Sequence, residues 1–202
     1  DLAVSVLSFD TVTHAFIGAD AVVSAGGDVF VGASDGTDID TISGALAGGF
    51  VGVGASVGVI SINKDTQAYI GDGAEVDALG AGAGIAEVLD GGITGDVFDT
   101  ATASGVIVQA QSGEDIFHLA VAGGFGFVGV SGAVTVTLID SDTKAWIGAG
   151  ARVNQAGGIA DASQGVFVNA ANKVEATTLA VGAAGGFVGV AGGVDVGTMR
   201  ND

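Results

Sequence analysis

Proline and cysteine are both missing from these 202 residues, and basic side chains nearly so, with five lysines and arginines against 23 acids. Each absence excludes something. At ordinary usage, about 5%, roughly ten prolines would be present. Proline removes a ladder donor and is tolerated mainly at sheet edges, so its loss suits a chain made of inner strands and tight turns. Without cysteine no disulfide can staple the fold, which fits a secreted protein stiffened by repetition instead. The net charge of −18 repels phosphate backbones and anionic lipid, which argues against nucleic-acid and membrane-surface partners and leaves cations as the natural counter-partner. Aromatics are only 6% of the chain, and no signal-peptide pattern is visible.

What is present is glycine, at 38 positions, within a chain that is 49% apolar and rich in alanine and valine. That is too apolar for a flexible linker. Two long runs, 41–63 and 116–139, carry no charge apart from a titratable His118, and both are long enough to cross a bilayer. Six glycines between Gly44 and Gly58 crowd the first run, each costing about 1 kcal/mol relative to alanine in a helix. The pattern also has a period of two, so no transmembrane helix is predicted.

Three strings recur. FVGV begins at Phe50, Phe127 and Phe187; Ala-aromatic-Ile-Gly carries Ile17, Ile70 and Ile147; an apolar triplet begins at Val29, Val106 and Val166. The step from triplet to FVGV is 21 residues each time, and from FVGV to the next Ile-Gly it is 20 both times. Only the third interval varies, at 12, 36 and 19 residues. Two rigid spacings and one elastic one describe a stacked scaffold with a decorated loop. In this phasing Val4 corresponds to Val57, Val134 and Val194, giving repeats of 53, 77 and 60 residues over 4–56, 57–133 and 134–193, with a fourth beginning at 194–202. The chain closes in the phase in which it opened and shows no polar cap. It reads as a window on a longer array, or as a unit that continues head to tail.

Valines at 51, 53, 57 and 59 alternate with Gly52, Gly54, Ser56 and Gly58, and the later copies repeat the pattern. Valine on one parity predicts the buried face. The charge at Asp195 falls on the glycine parity, marking that face as the wet one, against which a neighbouring rod or the insert could pack. The triplets are apolar on both parities and should be covered on both sides. Turn signals stand at Gly26-Gly27-Asp28, Asp35-Gly36, Gly71-Asp72-Gly73 and Gly157-Gly158. The expected fold is all-β: a parallel β-helix, or β-solenoid, of short strands. With two or three coils per repeat at about 4.8 Å each, it would form a rod roughly 40–50 Å long.

The strings AYIGDGAEVDA (68–78), GGDVFVGAS (26–34) and GGFVGVGASVGV (48–59) resemble the repeat arrays of very large secreted bacterial surface proteins, the filamentous-haemagglutinin-like adhesins and the leukotoxin and autotransporter passengers. The resemblance covers essentially the whole chain. It implies a right-handed parallel β-helix, export to the cell surface, and a role as stalk or adhesive rod.

Candidate chemistry is sparse. His14 aligns with Gln67 and Lys144, and His118 with Thr41 and Thr178, substitutions that suit solvated surface rather than catalysis. The five bases are too scattered to grip an anionic polysaccharide, so a β-helix lyase or hydrolase is a distant alternative and no catalytic residue is assigned. Asp35, Asp38 and Asp40, in SDGTDID, offer hard oxygen ligands and a bending glycine for Ca2+, although the set survives in one copy of three. Phe16, Tyr69 and Trp146 align as a sugar-binding stripe or as a stack shielding the turn. The elastic segment, 79–103, carries Glu87, Asp90, Asp96 and Asp99, and such inserts often form the binding surface. The leading expectation is a non-catalytic structural or adhesive module of an extracellular fibre, meeting a host or matrix surface or its own copies side by side. A filament subunit stacking end to end is the alternative. Ice binding is disfavoured because the Thr-x-Thr pairs at Thr11/Thr13 and Thr135/Thr137 fall out of register.

Overall fold

A computed structural model describes residues 1–155 and 160–202; the turn expected at Gly157-Gly158 lies outside them. Every element among the described residues is a strand: β1 (Leu2–Ile17), β2 (Val22–Ala25), β3 (Val29–Ile70), β4 (Glu75–Ala78), β5 (Ile85–Thr94), β6 (Val97–Ile147), β7 (Arg152–Val153), β8 (Gln164–Gly185) and β9 (Val188–Asn201). Among the described residues no helix is long and apolar enough to cross a membrane.

The pairing follows the sequence repeat. β1 lies parallel to β3 with Val4 beside Val57, β3 to β6 with Val57 beside Val134, and β6 to β9 with Val134 beside Val194. The short strands β2, β4 and β7 form a second parallel sheet with the same offsets. Each repeat therefore meets its predecessor once, through one long course, and not two or three times as the rod estimate assumed. Four passes stack over only about 15 Å at this spacing, so this length of chain is broader than it is tall. The turns at Gly26-Gly27-Asp28 and Gly71-Asp72-Gly73 are found, whereas Asp35-Gly36 lies within β3.

The long course doubles back where no turn was expected. Ser43 and Ser56 share a hydroxyl hydrogen bond of 3.1 Å, and Asp35 meets Lys64, so the stretch before Phe50 faces the stretch after it. The reversal occurs at Gly49–Phe50, and again at Gly186–Phe187, where Gly49 and Gly186 both have φ of +149°, a region that side chains disfavour. The halves form two layers: an outbound layer (29–48, 106–125, 166–185) and a return layer (2–17, 51–70, 128–147, 188–201), closed at the far end by β2, β4 and β7.

This geometry inverts the expected faces. Gly52, Gly54, Ser56 and Gly58 point inward and are buried, while Val51 and Val53 are exposed and Val57 and Val59 half-exposed on the outside. The reason is space. Strands leaving a tight reversal are barely separated, and a Cβ on Gly54 would lie 2.2 Å from the carbonyl oxygen of Gly123. Asp195 also turns inward, so it never marked the solvent face; Thr135 and Thr178 hydroxyls hold its carboxylate.

The gap widens away from the reversal, and the interior side chains grow with it. Ala120, Ala122 and Ala133 fill the narrow end, then Ile39, Ile60, Ile62, Ile116 and Ile139. The widest zone, where the short strands close the section, packs Val31, Ala68, Ile70, Val76, Val106 and Val108 among others. The repeated strings now have causes. In Ala-aromatic-Ile-Gly the Ala and Ile of the middle copy are buried in that zone, and Gly71 lets the turn settle onto the one below, since its Cβ would meet Ala19 N at 2.6 Å. The triplet sends its valines inward and its middle residue outward, where Ile107 is covered but Phe30 stays partly exposed; the expected cover on both sides exists only in the second copy.

Replacing Gly54 with alanine should destabilise the fold by about 1–3 kcal/mol through overpacking against backbone. Gly132→Ala, whose Cβ would meet nothing within 4 Å, should change stability by no more than about 0.5 kcal/mol. Denaturant melts of the two variants check the contrast.

Candidate functional site

The extra residues of the second repeat form a hairpin: β5 runs antiparallel to the first residues of β6, Ile85 opposite Ala103 and Thr94 opposite Val97. The hairpin lies on the outer face of the outbound layer. Gln109 and Asn169 reach up from that layer to its backbone, Gln109 Oε1 accepting from Leu89 N at 2.8 Å and Asn169 Nδ2 donating to Leu89 O at 2.9 Å. Val88 and Leu89 are buried beneath. Between hairpin and sheet opens a groove of about 560 Å³, bordered by Phe30, Ser34, Glu87, Phe98, Gln109 and Gln111.

The four acids of the insert do not converge. Glu87 is exposed, at a left-handed φ of +63°. Asp90 accepts from Gly92 N at 2.9 Å, and Asp99 from the Thr94 hydroxyl at 2.8 Å; both brace the hairpin's end. Asp96 pins the tip to Lys173 at 3.2 Å. The candidate calcium residues are likewise separated. Asp35 points inward, whereas Asp38 and Asp40 lie on the opposite parity and are exposed, so the three carboxylates cannot close on one ion. Among the described residues no group of three or more potential ligands is placed to hold a metal. Asp38 stacks in register with Asp115 and Glu175, beside Lys173.

Phe16, Tyr69 and Trp146 are brought together as one stack, with ring centroids 5.1 and 4.4 Å apart and planes within 10°. Stacked in this way the rings cover one another's faces and turn their edges outward, which favours the shielding role over a sugar platform. A second stack, at the reversal, joins Phe50, Phe127 and Phe187 at 5.2 Å.

Two polar clusters inside the slab were not anticipated. Lys64, almost wholly buried, pairs with Asp35 and with Glu114 Oε1 at 2.9 Å. Ser112 and Ser141 donate to the same Glu114 oxygen at 2.7 and 3.1 Å, and Asn172 donates to Ser141 at 2.7 Å. Burial works to raise the Asp35 pKa, but Lys64, by hydrogen bond and charge, together with the Thr13 and Thr37 hydroxyls, brings it below its ordinary value. His118 forms the second cluster. It is fully buried, contrary to the surface position expected of it, with Nδ1 3.0 Å from Thr137 Oγ1 and no partner at Nε2. Burial lowers its pKa, which the nearby Asp195 carboxylate only partly offsets. Gly58 exists to admit this ring, because a Cβ there would lie 2.1 Å from Nε2. His14 is half-exposed and pairs with Asp65 at 3.1 Å, remote in register from His118. His118, alone in an otherwise uncharged run, was a signal for the second cluster, whereas Lys64, Glu114 and Asp35 stand beside other charges and left none.

Removing Lys64 (Lys64→Met) would leave two carboxylates uncompensated and should cost about 3–5 kcal/mol, read as a shift in denaturation midpoint. A depressed folded pKa at His118 means that the unfolded chain binds the extra proton. Stability is therefore whole above about pH 6.5 and falls as pH drops below it. His118→Thr, the residue found at both aligned positions, should flatten that limb of a stability-versus-pH curve while leaving the acid limb below about pH 4, where Asp35 protonates.

Compared with known proteins, the chain matches no family model, no curated protein and no solved structure.

Proposed function

We propose that this chain is a non-catalytic structural or adhesive segment of an extracellular bacterial surface fibre, coiled as a parallel β-solenoid with one long coil per repeat. The observation that carries the reading is the register: residue after residue pairs at offsets of 53, 77 and 60, while the variation in coil length is taken up outside the paired courses, in the second repeat by a surface hairpin. A scaffold selected for extension keeps its ladder and varies its decoration. The resemblance to secreted adhesin arrays supports the cell-surface setting, and the lack of cysteine and the acidity agree with it. The inward polar groups support a structural role as well, because Lys64, Asp35, Glu114 and Asp195 bond to one another or to neighbouring hydroxyls and offer no free nucleophile to a substrate.

In this reading the hairpin and its groove meet the partner surface. Shortening 79–105 to the three-residue connection that joins β2 to β3 should leave the β-sheet circular dichroism and melting behaviour nearly unchanged and abolish binding to host or matrix surfaces in an adhesion assay. Release of unsaturated or reducing sugars from acidic glycans by the intact protein would overturn the reading in favour of an enzyme.

A further inference from the structure

The inverted packing leaves an unusual surface. From Phe50 to Val59, and in the same columns of the other passes, the outer face of the return layer carries no charge. Phe50 is 78% exposed, Val53 51%, Val190 60% and Phe187 82%. Three passes carry all ten columns and the first pass, which begins at Leu2 opposite Ala55, carries the last five, making this face roughly 550 Å². The largest apolar patch of an ordinary monomer reaches about 300–600 Å² and is often functional.

We infer that this valine face is a lateral docking surface for a second copy of the same chain, packed sheet to sheet with the strands of the two copies antiparallel. Three features select this occupant. Two such faces would bury about 1,100 Å² in all, just above the roughly 1,000 Å² that a biological interface needs. Rows of β-branched side chains repeating at about 4.8 Å interdigitate best with a surface of the same repeat. Charge then sets the orientation. Just beyond the apolar columns runs a strip of net negative charge, in which Asp10, Asp65, Asp140 and Asp142 outnumber Arg200 and Lys144, the bases paired with Asp140 and Asp142. Antiparallel copies lay Phe50 of one over the Val59 column of the other and leave both strips outside the overlap, whereas parallel copies would oppose acid to acid. This inference stands or fails separately from the adhesive role of the hairpin.

Sedimentation velocity over a wide concentration range tests it. The protein should associate reversibly, and Val134→Lys or Val130→Lys should weaken association at least about tenfold. Each of these changes lowers the net negative charge, so general repulsion predicts the opposite sign. Asn63→Lys makes the same charge change on the same face outside the overlap and should leave association intact. Val134→Thr keeps the β-branch and strand propensity, and should weaken association severalfold if the lysine variants fail to fold. A protein that is monomeric throughout, association that survives the valine substitutions through the strand edges, or flotation with neutral phosphatidylcholine vesicles in preference to self-association would each overturn the inference.

Discussion

Near Gly49 the two layers are separated by little more than backbone, and the rest of the molecule follows from that. A chain that reverses over two residues sends its strands off almost in contact, so the first inward positions can hold only glycine, alanine and serine. Space opens with distance, admitting isoleucine and finally a valine, isoleucine and alanine core where the short sheet closes the section. The slab is a wedge whose inner side chains are graded to its taper. The valines that follow the reversal, which favour strands for their branching, are left on the outside because the narrow end of the wedge cannot hold them.

The same narrowness accounts for the buried polar groups. Between the alanine zone and the isoleucines sit His118 and the threonine-bound Asp195; between the isoleucines and the wide core sit Lys64, Asp35 and Glu114. Stacked passes put like positions above one another, so a charge in one pass can be answered only by what the adjoining passes hold in neighbouring columns. The lysine ammonium of the second pass bridges acids on the facing layer, and hydroxyls from three passes add to the set. Such networks cost desolvation, the more so here because Glu114 Oε2, Asn172 Oδ1 and His118 Nε2 lack partners, and in return they tie specific columns of facing layers together. In a slab of repeated valine and glycine columns, where a slip would otherwise cost little, that specificity is a physical reason for their presence.

How much was legible can be judged from particular residues. The phasing of Val4, Val57, Val134 and Val194, the alignment of the aromatic column, and the confinement of extra length to 79–103 all emerged from spacing alone. Parallel pairing rewards like residues in like columns, and that leaves a trace in one dimension. The reversal at Gly49–Phe50 left a weaker trace, because its glycine stands among many others. Asp35, Asp38 and Asp40 looked like one cluster in SDGTDID, yet alternation of side chains sends the first inward and the others outward. His118 looked interchangeable with its threonine neighbours. It is tolerated because Gly58 beneath it has no side chain, a condition set by a residue sixty positions away.

The sequence by itself determined the all-β character, the repeat lengths and the register, since these depend on local propensity and on matching columns. Only the tertiary structure decided which face of the alternating strands is inside. A period of two says that the faces differ and is silent on how much room lies behind each. That room is set by how sharply the chain turns and what it turns against, and here it excluded the valines that composition would have placed in the core.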